Sequence, residues 1–208
     1  MTYPTVTSQN TVTEGNTLYA THTVTLPATI NANDLLLMVG SIGSTSTTIT
    51  APSGWSTLFN DSKRFVFYKT AVGNEAGTTV TFTTSGNRSS ISTTYSISNW
   101  SDTPAISTWT NSTNPPALTS GFGVVDTLWI AVLETTNNTP TAGPSGYSGF
   151  TSASAQYGSQ QWGAAYITTT ASSEDPGVFT VGAGTPYSNT IAIKGVSANN
   201  ALFFGGDF

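Results

Sequence analysis

The sequence predicts an all-β protein: an antiparallel two-sheet sandwich, jelly-roll-like, of about ten strands built from an internal duplication. Three observations carry that expectation. First, Asn33-Asp34-Leu35-Leu36-Leu37-Met38-Val39 returns as Val125-Asp126-Thr127-Leu128-Trp129-Ile130-Ala131, and Pro52-Ser53-Gly54-Trp55-Ser56 returns as Pro144-Ser145-Gly146-Tyr147-Ser148, both offset by 92 positions. Two copies of this length point to duplication of one β-unit, since a solenoid stacks three or more short repeats. Second, stretches such as Thr23-Val24-Thr25-Leu26 and Val80-Thr81-Phe82-Thr83 alternate with period two, which lays one face on a core and leaves hydroxyls on the other. Third, no segment carries a helical period, and Gly, Pro, Asn and Ser punctuate the chain at strand-length intervals.

Taken in order, residues 1–16 fall outside the repeat and read as an N-terminal arm. A single sandwich domain spans 17–196, with copy one at about 17–98, a crossover at 99–116 and copy two at about 117–196. Copy one supplies strands over Thr17–Leu26, Asp34–Ile42, Lys63–Ala71, Thr78–Thr84 and Ser89–Ser98. Copy two supplies Ala117–Thr119, Asp126–Thr135, Gln161–Thr170, Gly177–Val181 and Asn189–Val196. Leu35 to Val39 and Leu128 to Val132 are apolar without alternation, so these two strands are central and covered on both faces. The Pro-Ser-Gly-aromatic segments make tight corners: Pro presets φ and Gly supplies the positive φ of a type II turn. Tyr68-Lys69 with Glu75 matches Tyr166-Ile167 with Glu174 at offsets of 98 and 99, which places an insertion in the loop after Ser148. A C-terminal tail, 197–208, lies beyond the repeat.

The composition narrows function. Charged residues make up 7% of the 208 residues, against roughly 25% in an ordinary soluble chain, so the surface is coated by hydroxyl and amide groups. The net charge is −5, and Lys63, Arg64, Lys69, Arg88 and Lys194 form no stripe; binding to a phosphate backbone needs one, so neither nucleic acid nor an anionic membrane is an expected partner. No apolar run is long enough to span a bilayer, and Met1-Thr2-Tyr3-Pro4 has the features of no secretory signal. There is no cysteine, so the fold stands without disulfides in either redox compartment.

Catalytic chemistry has little to draw on. One histidine, His22, sits among alternating threonines, where it is expected to face outward. Residues present in both copies, Asp34 and Asp126, Trp55 and Tyr147, Tyr68 and Tyr166, Glu75 and Glu174, are assigned to the fold, because a monomer rarely needs its catalytic site twice. The unduplicated carboxylates are Glu14, Asp61, Asp102, Glu134, Asp175 and Asp207. Glycoside hydrolysis would need two of them across a cleft, and Glu134, ending a central strand, alone stands out. No catalytic residue, metal or cofactor is expected. Trp100, Trp109, Tyr157 and Trp162 have no duplicate and would serve a glycan-binding alternative as flat platforms. Leu202, Phe203, Phe204 and Phe208 form an apolar run that is a liability in water, and with Tyr3 and Val6 of the arm they are the expected assembly contacts.

Val24-Thr25-Leu26-Pro27, Asn33-Asp34-Leu35-Leu36-Leu37, Ala51-Pro52-Ser53-Gly54-Trp55, Phe67-Tyr68-Lys69, Asp126-Thr127-Leu128-Trp129-Ile130-Ala131 and Ser173-Glu174-Asp175-Pro176 give a succession that resembles short β-sandwich proteins of tailed-bacteriophage structural modules, a group related to repeats of bacterial surface proteins. The resemblance spans about Thr21 to Lys194 and rests on fold-marking corners and strands. It implies a non-enzymatic virion structural protein, made in the host cytoplasm, forming homo-oligomers and contacting a major capsid or tail protein. A capsid decoration subunit is the leading expectation, and a glycan- or receptor-binding module of a tail fibre or adhesin is the alternative.

Overall fold

The computed structural model describes residues 2–14, 18–43, 47–155 and 160–197. Among the described residues the chain forms fifteen strands and no helix. Copy one contributes β1 (Thr5–Thr13), β2 (Tyr19–Thr25), β3 (Leu35–Ile42), β4 (Ile49–Thr50), β5 (Ser56–Asn60), β6 (Arg64–Thr70), β7 (Thr79–Arg88) and β8 (Ser90–Ser98). Copy two contributes β9 (Trp100–Ile106), β10 (Leu118–Thr119), β11 (Val125–Thr136), β12 (Ser148–Ala155), β13 (Gln160–Ala171), β14 (Ser173–Glu174) and β15 (Tyr187–Gly195). Every pairing between these strands is antiparallel.

The duplication is written into the sheets. One five-stranded sheet runs β1-β8-β3-β6-β5 and the other β9-β15-β11-β13-β12, so each strand has its counterpart at the same place in the order. The two sheets meet face to face, with Leu35, Leu37, Val39, Val66, Ile91, Tyr95 and Ile97 of copy one packed on Leu128, Ile130, Val132, Trp162, Ala164, Ile191 and Ile193 of copy two. Both copies present the same face, and β1 lies against β12 as β5 lies against β9. That is the reciprocity of an isologous, twofold-like contact within one chain.

Each sheet also buries its outer face. The small sheet β2-β7-β4 covers copy one, its Val24, Phe82 and Ile49 meeting Leu36, Met38, Phe65 and Phe67. On copy two, β10 and β14 pair, and Leu118 covers Trp129 and Ala192, while Phe179 covers Ala131 and Leu133. The continuous apolar runs of β3 and β11 are thereby explained, alternate residues serving alternate cores. Gly40 is required on β3, because a Cβ there would sit 2.5 Å from Phe65 Cζ and 2.7 Å from the Ile91 carbonyl oxygen.

The two corners match closely. The Trp55 N–H donates to Pro52 O and the Tyr147 N–H to Pro144 O, both at 3.1 Å, with Gly54 at φ +77° and Gly146 at φ +82°. Trp55 and Tyr147 each fold back onto the outer core of their own copy.

Several placements differ from the sequence-based expectation. Leu37 pairs with both Tyr68 and Tyr95, and Ile130 with both Tyr166 and Ile191, so β3 and β11 correspond at an offset of 93, not 92. A slip of one residue turns every side chain to the opposite face; Asp34 therefore corresponds to buried Thr127, and the Asp34–Asp126 match is coincidental. Residues 177–181 form no strand: Thr180 makes an isolated bridge to Ala142, and Ser173–Glu174 is the strand of that region. The extra residues after Ser148 lengthen β12 and β13 into a longer hairpin than β5 and β6.

The segment 1–16 and the crossover, set outside the repeat on sequence, supply β1 and β9, counterparts at one edge of each large sheet. All four pairings of an outer strand of the large sheets carry a register shift, at Val6/Ser8 of β1, Thr57/Phe59 of β5, Ser148/Thr151 of β12 and, for β9, between the Ala105 and Ser101 partners of Ala192 and Lys194, while the interior pairings run without one. Bulged edges disfavour pairing with a second chain, which a chain with so few charges cannot achieve by repulsion.

The duplicated acids have diverged. Burial pushes the Glu75 carboxyl up, but the Val72 N–H, Lys69 and the Gly73 N–H outweigh it and lower its pKa from 4.5 to about 2. Burial raises that of Glu174, against a hydrogen bond from the Tyr147 hydroxyl at 3.4 Å. A carboxyl depressed by folding stabilises fully above its unfolded pKa and loses this as pH falls through the folded one. The stability lost in Glu75→Gln is therefore expected to be full above about pH 5 and to vanish near about pH 2. Thermal midpoints of both proteins across that range check it; a difference that grows on acidification contradicts it.

Candidate functional site

The core between the copies is apolar along most of its length and turns polar at one end. Following the inward-facing alternation, Ser41 lies near the end of β3, Arg64 begins β6, Glu134 lies near the end of β11, Gln160 begins β13, and Tyr187 and Asn189 lie within the first residues of β15. Antiparallel pairing brings all these ends together, as in Ser41 opposite Arg64 and Glu134 opposite both Trp162 and Tyr187.

Glu134 is 1% exposed and Arg64 7%. Arg64 Nε donates to Glu134 Oε2 at 2.7 Å, and Lys63 Nζ lies 2.7 Å from Oε1. Arg64 Nη1 donates to Asp61 Oδ2 at 2.9 Å. Its guanidinium lies 3.9 Å from the Tyr187 ring centre and 5.3 Å from that of Trp109, where cation–π attraction adds to the pairing. Asp61 Oδ1 meanwhile accepts the Lys63 and Arg64 N–H groups and so fixes the turn from β5 to β6. Beside this cluster, Gln160 donates through Nε2 to Ser41 Oγ at 2.9 Å and accepts from Ser89 Oγ at 3.0 Å. Trp162 Nε1 donates to Thr93 Oγ1 at 2.9 Å.

All of these bonds except those to Asp61 join copy one to copy two. Both oxygens of Glu134 are held by cations, Lys63 at Oε1 and Arg64 at Oε2, and Arg64 also engages the Asp61 carboxylate. Among the described residues no three His, Cys, Asp or Glu side chains converge as a metal would require. The arrangement is a polar brace between the two sheets.

His22 faces inward, contrary to expectation. Val24 belongs to the outer core of copy one and sets the phase of β2, so His22 is buried with it and the threonines face out. The ring stacks on Phe82 at 4.5 Å, with Nδ1 2.7 Å from Glu14 Oε2 and Nε2 2.9 Å from Thr84 Oγ1. The order acid, imidazole, hydroxyl is that of a nucleophilic triad, yet the Thr84 hydroxyl donates to Gly86 O and points into the core. The chain ties the end of β1 to β2 and β7.

The proposed platform rings are dispersed. Trp162 is fully buried between the copies and cannot be a platform. Trp100 is half-buried, its Nε1 donating to Asn33 O just before β3, whereas Trp109 lies on Arg64 at the other end of the strands; Tyr157 is outside the described residues. Of the assembly residues, Val6 packs against the core between the copies. Tyr3 is 38% exposed, and its hydroxyl donates to Thr170 Oγ1, which donates to Asp126 Oδ1. Leu202, Phe203, Phe204 and Phe208 lie outside the described residues.

Arg64, Lys63, Tyr187 and Gln160 were not singled out in the sequence. The available signal was charge placement: a lone arginine opens one inward-alternating strand and a lone glutamate closes another. No protein-family model, no curated protein and no solved structure matches this chain.

Proposed function

We propose that this chain is a non-enzymatic structural subunit, displayed in many copies on a virion of the tailed-phage kind as a capsid decoration protein. The observation that supports this most is the brace at Glu134: the unduplicated carboxylate that stands out in the sequence has both oxygens engaged in joining the two copies. The bulged edges add to it, because subunits crowded on a lattice must not pair through their sheets. The resemblance in the corners and central strands supplies the virion. Contacts with the underlying shell are assigned to the apolar run Ala201-Leu202-Phe203-Phe204 and to Phe208.

Immunogold electron microscopy of particles purified from cells making the protein tests this reading. Dense labelling of intact heads is expected, and label confined to the soluble fraction contradicts it. Deleting residues 198–208 is expected to leave the thermal midpoint of the soluble sandwich unchanged, since β15 ends at Gly195, while abolishing labelling of particles. Particles labelled at full density by the truncated chain would place the contact on the sandwich itself.

A further inference from the structure

A groove of about 410 Å³ opens between β1 and β2, lined by Val12, Thr13 and Glu14 from one strand and Tyr19, Thr21 and Thr23 from the stretch of the other. Its chemistry follows from the phase of β2. With His22 and Val24 committed to the core, Tyr19, Thr21 and Thr23 all face outward, and Tyr19 is 46% exposed. Glu14, at the end of β1, is held by the His22 bond to Oε2, and His22 is itself fixed by Phe82 and Thr84. The carboxylate is thus a positioned acceptor, with its side chain 10% exposed. Nothing in the brace between the copies uses this groove.

We propose that the groove binds a short, uncharged saccharide. The Tyr19 ring would take the C–H face of a sugar ring, as an exposed aromatic with an apolar body does, while Glu14 accepts from sugar hydroxyls and Thr13, Thr21 and Thr23 both donate and accept. The volume lies toward the lower end of the ~300–1,000 Å³ of small-molecule sites. An anionic sugar would meet the Glu14 carboxylate, and the cation nearest Tyr19 along the ladder, Arg88, already donates to Thr47 Oγ1 and Asn87 O. A peptide strand is disfavoured on the open edge of β2, because Asn10 Nδ2 occupies the Thr25 carbonyl at 2.8 Å. This inference goes beyond the structural role and does not rest on it.

The full chain, applied to a microarray of neutral and sialylated oligosaccharides and titrated by NMR with N,N′-diacetylchitobiose, lactose and maltotriose, tests the proposal. Retention of at least one neutral glycan is expected. Tyr19→Ala is expected to weaken that binding about tenfold or more and Tyr19→Phe to preserve it. Thr21→Val, which removes one hydroxyl at nearly constant shape, is expected to weaken it several-fold. The thermal midpoints of all three variants should match the wild type, as substitutions at exposed positions usually leave stability unchanged. Absence of neutral glycan binding, binding confined to sialylated glycans, or affinities unchanged by both Tyr19→Ala and Thr21→Val would each overturn it.

Discussion

Replacing Arg64 with methionine is expected to destabilise the fold by about 3 kcal/mol, the low end of the range for breaking a buried ion pair, because one of the two cations on Glu134 is removed. Glu134 keeps only Lys63, whose side chain is 19% exposed. The guanidinium stack between Tyr187 and Trp109 is lost as well, and so is the bond to Asp61. Removing both charges, in Arg64→Met with Glu134→Leu, is expected to be less damaging than Arg64→Met alone, because two apolar side chains of similar volume need no solvation. Urea denaturation of the two single variants and the double variant gives the coupling directly. Additive losses would mean that the pair is not a unit.

Trp162→Ala is expected to cost about 3–5 kcal/mol, the range for truncating a large aromatic in a packed core. The indole is fully buried in the core between the copies, and its Nε1 is the donor to Thr93 Oγ1. Trp162→Phe should cost less, since most of the apolar volume is kept and the chief loss is that hydrogen bond. A loss under about 1 kcal/mol for Trp162→Ala would place the ring at a surface, where substitutions rarely exceed about 0.5 kcal/mol. In that case its exclusion as a platform would fall.

Much of the architecture was legible because it depends on local pattern. Thr23-Val24-Thr25 fixes the phase of β2, the Pro-Ser-Gly-aromatic corners fix two turns, and the unbroken apolar runs of β3 and β11 call for cover on both faces. β1 was not legible as part of the repeat. Ser8, Gln9, Asn10 and Thr11 give it no apolar alternation, and its place is set by the neighbouring β8 rather than by its own side chains. The one-residue error in matching β3 to β11 arose because two aspartates anchored the comparison while doing different work. Asp34 Oδ2 accepts from the Asn31 N–H and from Ser96 Oγ, whereas Asp126 accepts from Thr170 at an exposed position. Face, not residue identity, decides the match. The brace was illegible for a different reason: Arg64 and Glu134 are 70 residues apart, and their meeting depends on how one copy is laid upon the other.

The mutual packing of the two copies is tested by dividing the chain. The two copies, 2–98 and 99–197, share one apolar core built from the same face of each, so neither has a complete interior alone. Produced separately, each is expected to be insoluble or to self-associate through its exposed face. Co-expressed with a tag on copy one, the two should purify as a one-to-one complex whose melting is a single cooperative transition, and Arg64→Met in copy one should weaken it. Two soluble, independently melting monomers with no affinity for each other would contradict the account.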